Sequence, residues 1–141
     1  MNTSLSLVRF SVAYWCVLVA ALLPLACAGI AKWGMFRKAR RDGGYDNHNP
    51  RAWLARQTDW RARANAAQAN SFEALPFFIG AVIIAHQMGA PQLRVDLLAF
   101  IFIVARLFYI LMYVGDLATF RSIAWMVGLG ANIAILFAGF R

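Results

Sequence analysis

The sequence predicts an all-α integral membrane protein, a bundle of four helices that each cross the bilayer. Two observations carry this. Hydrophobic residues make up 62% of the 141-residue chain and the mean hydropathy is +0.59, against about 45–50% apolar residues in an ordinary soluble domain. A soluble chain this short has too much surface to hide so many apolar side chains. In addition, four stretches reach the roughly 20 mostly apolar residues that a helix needs to span the hydrocarbon. They are about 10–31, 66–88, 93–114 and 120–140. They take up most of the chain, so a single membrane domain over 1–141 is expected.

The first stretch is rich in Leu, Ala and Val and carries Pro24, where a kink is expected because membrane helices tolerate proline. Its apolar run is too long for a typical signal-peptide core, and no small-residue cleavage site precedes a soluble domain, so it reads as a retained helix. Cys16 and Cys27 both fall in it without CxxC spacing. They point to neither a disulfide scaffold nor a metal site, and read as buried thiols acting as small hydrophobes.

Between the first two stretches lies a basic loop, about 32–63. It holds nine of the fourteen Lys and Arg residues and so most of the net charge of +8. A Lys/Arg excess of this kind marks cytoplasmic loops, so the loop is expected inside and both termini outside. It suits contact with anionic lipid headgroups rather than nucleic acid. The run Arg40–Pro50 is dense in turn formers, and Tyr45, Trp53 and Trp60 suit an interfacial aromatic belt.

The second membrane helix is expected to begin around Pro50–Arg56, outside the hydrocarbon, and to enter it near Ala66. It carries Gln68, Asn70, Glu73 and Pro76. The following turn, His86–Asp96, has only Arg94 as a fixed cation, which suits the outer face. The third helix carries Arg106, Tyr109 and Tyr113. The fourth opens after Asp116–Thr119, an expected N-cap region, and carries Arg121, Ser122, Trp125 and Asn132.

Polar groups inside the hydrocarbon are costly, about +2.5 to +3.5 kcal/mol for a central charge on insertion scales, so such residues face protein or water. Asn70 and Glu73 are i, i+3. Arg106, Tyr109 and Tyr113 are i, i+3, i+7, and Arg121 and Trp125 are i, i+4. Each set makes one stripe on its helix. Counting about 1.5 Å per residue, all three stripes fall in the inner half of the membrane, as does Lys32. Glu73 and Arg106 lie at depths where they can neutralise each other, and Tyr109 and Tyr113 also read as packing aromatics. Converging at one level, the stripes point to a pocket for a small zwitterionic or anionic molecule.

The run Asn65–Phe77 (NAAQANSFEALPF) resembles the second-helix signature of the MAPEG family, membrane-associated proteins in eicosanoid and glutathione metabolism. In that signature an Asn and a Glu three residues apart are followed closely by Pro-Phe. The segment Arg106–Tyr113 (RLFYILMY), followed by Arg121-Ser122, resembles the family's third helix and the start of its fourth. The resemblance implies a homotrimer with glutathione sites between subunits near the cytoplasmic face. By position it implies glutathione contacts at Lys32, Asn70, Glu73, Arg106, Tyr109 and Tyr113, with Arg121 and Ser122 beside the thiol. Ala69 departs from relatives that have Arg there, and Trp125 from one that has Tyr.

The chemistry is coherent. Glutathione carries an ammonium for Glu73, two carboxylates for Lys32 and Arg106, and a thiol that titrates near ~8.5 unless a cation or helix N-terminus lowers it. Arg121 stands at such a terminus. The expected function is a membrane-bound glutathione-dependent transferase or peroxidase acting on hydrophobic electrophiles. The alternative is a non-catalytic membrane scaffold or lipid-binding homologue of the same fold. Compact size and absent targeting signals suggest a bacterial inner membrane.

Overall fold

The computed structural model describes residues 10–140. Five α-helices follow in order: α1 (Val12–Lys32), the short α2 (Pro50–Ala55), α3 (Asp59–Gln87), α4 (Gln92–Val114) and α5 (Ala118–Leu136). The four long ones are each long and apolar enough to cross a membrane. The chain is an integral membrane protein. Helices α3 and α4 lie between the others, with α1 packed on α3 and α4, and α5 packed on α4 and α3.

Small residues set the closeness of α1 to its neighbours. Its buried stripe reads Ala13, Cys16, Ala20, Leu23, Cys27, Ala31, and it faces Ala67, Ala81 and Ala85 of α3. Lipid tails are as apolar as leucine, so membrane helices associate through close backbone approach and van der Waals packing, which small side chains permit. Both cysteines are free and buried in this seam. Opposite faces carry large exposed apolar side chains, such as Trp15, Leu18, Leu22 and Leu25 on α1 and Phe100, Leu107 and Leu111 on α4, as a lipid-facing surface requires.

At the end where α1 begins, the bundle is closed by polar caps. Ser11 Oγ accepts from Tyr14 N at 3.4 Å, and the Asp96 carboxylate of α4 accepts from Ala13 N and Gln92 Nε2, both at 2.8 Å. The His86 ring stacks on Tyr14, with centroids 4.7 Å apart. Helix α3 ends in a Schellman motif. Ala90 N donates to Ala85 O at 3.0 Å and Gly89 N to His86 O at 3.1 Å, with Gly89 at φ 67°, the left-handed position that glycine fills without strain.

The end of α4 repeats this geometry with an aspartate. Leu117 N donates to Met112 O at 2.8 Å and Asp116 N to Tyr113 O at 3.2 Å, with Asp116 at φ 62°. Asp and Asn are the non-glycine residues that visit this region most readily. Asp116 therefore terminates α4, and the N-cap of α5 falls one residue on, within the expected Asp116–Thr119 region. The residue before α5 is Leu117, which gives no side-chain cap. Arg63 of α3 fixes the turn, its Nε donating to Val114 O at 3.0 Å and its Nη1 lying 3.8 Å from the Asp116 carboxylate.

The basic loop has its own small core. Trp53, expected in an interfacial belt, is instead 2% exposed. Its indole donates to Gly43 O at 3.3 Å and meets the Tyr45 ring edge-on at 5.2 Å. Gly44 passes so close to the Lys38 carbonyl that a Cβ there would collide with it. Within this loop the His48 N–H, 3.0 Å from Asp46, holds the aspartate carboxyl below its ordinary range, with Arg40 at 3.8 Å adding to the effect.

Candidate functional site

The side chains that line the interior cavities come from three helices. On α3, one turn separates Asn70 from Glu73, and Asn70 Nδ2 donates to Glu73 Oε2 at 3.2 Å. On α4, Arg106 is 3% exposed, its guanidinium 4.3 Å over the Tyr109 ring. The Tyr109 and Tyr113 rings meet edge-on at 5.5 Å. On α5, the Arg121 guanidinium lies 4.5 Å over the Tyr113 ring. Arg106, Tyr109, Tyr113 and Arg121 thus form a cation–aromatic ladder from the middle of the bundle to its loop end. Each such contact is worth about 0.5–1 kcal/mol exposed and ~2 or more when desolvated.

The ion pair that depth alone allows between Glu73 and Arg106 is not formed. Arg106 Nη2 donates instead to Ser71 Oγ at 3.2 Å, and the Ser71 hydroxyl donates a hydrogen bond to Ala67 O at 2.8 Å. Ser71 gave no signal in the sequence beyond its place between Asn70 and Glu73. It holds the guanidinium without neutralising it, and Glu73 lies exposed on the side of the chain.

Two adjoining cavities result. One, of about 430 Å³, is lined by Asn70, Tyr109, Tyr113, Arg121, Ser122, Trp125 and Met126. The other, of about 210 Å³, lies further from the loop. Glu73, Arg106, Asn70, Trp125 and Asn132 supply its polar atoms, and Phe77 and Phe102 are among its apolar walls. Asn70 and Trp125 belong to both. The Arg106 stem passes against α5 at Gly128, where a Cβ would meet Arg106 Cδ at 3.8 Å, an ordinary contact. A third, apolar groove of about 600 Å³ runs between α4 and α5, lined by Phe100, Phe108, Phe120 and Val127 among others.

Seven of the eight residues singled out in the sequence line the two polar cavities: Asn70, Glu73, Arg106, Tyr109, Tyr113, Arg121 and Ser122. Lys32 does not. Its Nζ sits 4.6 Å over the Tyr45 ring, against the loop. The Ser122 hydroxyl donates to Ala118 O at 3.1 Å. Asn132 was not singled out. It is 3% exposed, and its Oδ1 is buried with no hydrogen-bond partner, as is that of Asn70. A buried unpaired acceptor costs about 1–3 kcal/mol. The stripe Trp125, Gly128, Asn132 has i, i+3, i+7 spacing and is the signal that could have found it.

Four helices long and apolar enough to cross a membrane, with two polar cavities lined by three of them, define an integral membrane protein. The model of the MAPEG family matches residues 12–141, nearly the whole chain, and the protein belongs to that family, whose members serve glutathione and eicosanoid metabolism. No curated protein and no solved structure matches the chain.

Proposed function

We propose that the protein is a membrane-bound glutathione-dependent transferase or peroxidase that acts on hydrophobic electrophiles dissolved in the bilayer. The observation that carries this reading is the charge inventory of the two adjoining cavities: one carboxylate, two guanidiniums, two tyrosines and a serine, at a depth where each charge is costly without a ligand. Glutathione can pair its ammonium and one of its two carboxylates with this inventory, and it supplies the nucleophilic thiol. Glu73 takes the ammonium and Arg106 a carboxylate, and Asn70 orients Glu73 through their hydrogen bond. Arg121, three residues into α5, adds its charge to the helix dipole, and both lower the pKa of a thiol held there. Rotation of the Ser122 hydroxyl away from Ala118 O turns its proton toward that sulfur. The apolar groove between α4 and α5 offers a seat for the body of the second substrate.

The reading includes a homotrimer with the basic loop on the cytoplasmic side. Glu73 lies exposed on the flank of the single chain at membrane depth. A bare carboxylate against lipid is disfavoured, and a second copy of the chain covers it. Lys32, held on Tyr45 away from its own cavities, then serves the site of a neighbouring subunit.

Calorimetry of glutathione binding to the detergent-purified protein, with Glu73→Ala alongside, tests the proposal. Saturable binding that weakens about tenfold to a hundredfold in the variant is expected, the range for a charge-assisted hydrogen bond lost from a buried site. Absence of binding by the wild type sinks the enzyme reading and leaves a non-catalytic scaffold or lipid-binding protein of the same fold.

A further inference from the structure

The nine cations of the basic loop are not equivalent in the fold. Three are committed to it. Lys32 rests on the Tyr45 ring, Arg61 donates through Nη2 to Trp33 O at 3.2 Å, and Arg63 holds the turn after α4. Two face carboxylates, Arg40 near Asp46 and Arg41 near Asp42, each at 3.8 Å. The other four, Arg37, Lys38, Arg51 and Arg56, are exposed and make no ion pair among the described residues. The third carboxylate of the loop, Asp59, accepts from Thr58 Oγ1 at 3.3 Å and neutralises none of them. Beside these cations Trp33 and Phe36 turn large rings outward, 76% and 68% exposed. Both follow directly on the end of α1, a helix apolar enough to cross the membrane. The loop that carries them is folded. The Trp53 indole donates to Gly43 O at 3.3 Å and Tyr45 N to Met35 O at 3.0 Å, and Arg61 ties the start of the loop to α3. In the turn at the opposite end of the bundle, 88–96, Arg94 is balanced by Asp96.

We propose that the loop end is a docking surface for the phosphate headgroups of anionic phospholipids. Trp33 and Phe36 sit in the bilayer interface, where aromatic rings find both an apolar and a wet side. Arg37, Lys38, Arg51 and Arg56 draw negatively charged lipid around the bundle, since a basic segment next to a membrane is attracted to an anionic leaflet. Charge complementarity selects this occupant: the free cations adjoin exposed rings at the mouth of a membrane helix, a combination that suits a headgroup layer and not a dissolved polyanion. The proposal does not depend on the glutathione reading, because none of these six residues lines either polar cavity.

Electron spin resonance on the full-length protein reconstituted in phosphatidylcholine bilayers tests it, with spin-labelled phosphatidylglycerol or spin-labelled phosphatidylcholine as the probe. The protein-restricted fraction is expected to favour phosphatidylglycerol about fivefold at low salt, the worth of one cation near an anionic surface. At about 1 M salt, where charge is screened within ~3 Å, the preference should fall below about twofold. Replacing Arg37, Lys38, Arg51 and Arg56 together by Gln should abolish the preference and leave the restricted phosphatidylcholine unchanged, which also shows that the bundle is intact. Arg40→Gln with Arg41→Gln should keep most of it. Equal association of the two probes with the wild type overturns the proposal. So does a preference that survives in the quadruple variant, or one lost as fully in the Arg40/Arg41 variant, which reduces the surface to net loop charge. Retention of single-stranded RNA by the detergent-purified wild type at physiological salt, with no preference for phosphatidylglycerol, assigns the cations to nucleic acid instead.

Discussion

The two ends of the bundle are built on different principles. Toward the end where α1 begins, fourteen buried residues form one apolar cluster, with Phe78 stacked on Phe102 at 4.0 Å and Val82, Val95 and Ile135 fully enclosed. Its polar groups serve as caps: Asp96 holds the start of α1, and Arg94 reaches Ala138 O at 3.4 Å. Toward the loop the buried apolar cluster shrinks to six residues. Space appears, and Arg106 and Arg121 rest on tyrosine faces. One half is closely packed, and that half holds the helices in place. The other half leaves volume and charge uncommitted, and it relies on the first for rigidity, as a preorganised site must.

If this division is right, substitutions in the two halves should separate cleanly. Arg121→Ala, at the loop end, is expected to lower glutathione-dependent turnover about 10²–10³-fold, the loss typical of removing one charge-stabilising donor. Binding should move less than threefold. Single-turnover kinetics beside calorimetry reads both, and unchanged turnover removes Arg121 from the mechanism. Phe78→Ala, in the packed half, should cost on the order of 3 kcal/mol of stability in denaturant titration, with glutathione affinity unchanged in the protein that remains folded. Asp96→Ala should cost about 1 kcal/mol, the usual loss for a helix cap, with the first turn of α1 exchanging its amide hydrogens faster and the site untouched. A large effect of either packing variant on affinity would show that the halves are coupled rather than divided.

The helices were legible because the hydrocarbon imposes one crude rule, length of apolar run, and the sequence follows it four times. The stripes Asn70/Glu73, Arg106/Tyr109/Tyr113 and Arg121/Trp125 were legible because helical periodicity puts each set on one face. Side-chain pairing was not. Periodicity places Glu73 and Arg106 at comparable depth but says nothing of Ser71, whose short hydroxyl captures the guanidinium at closer range. Asp116 falls in the expected N-cap region, and aspartate favours that position. A left-handed turn also accepts it, and the Arg63 partner that decides between the two lies 53 residues earlier in the chain. Trp53 looked interfacial because tryptophan favours that layer, yet the loop folds around it. Helix α3 begins at Asp59, at a residue with φ 56°, after a break that no hydropathy window resolves.

The unequal lengths of the helices have a mechanical consequence. At about 1.5 Å per residue, the 29 residues of α3 reach about 43 Å, whereas the 19 of α5 reach only about 28 Å, close to a hydrocarbon thickness of ~30 Å. The long helix can tilt or protrude to suit its surroundings, and the short one cannot stretch. Thickening the bilayer therefore strains the chain first at the ends of α5, where Arg121 stands one turn from the helix start. The lipid around the protein thus acts as an elastic load on the very cation that faces the larger cavity.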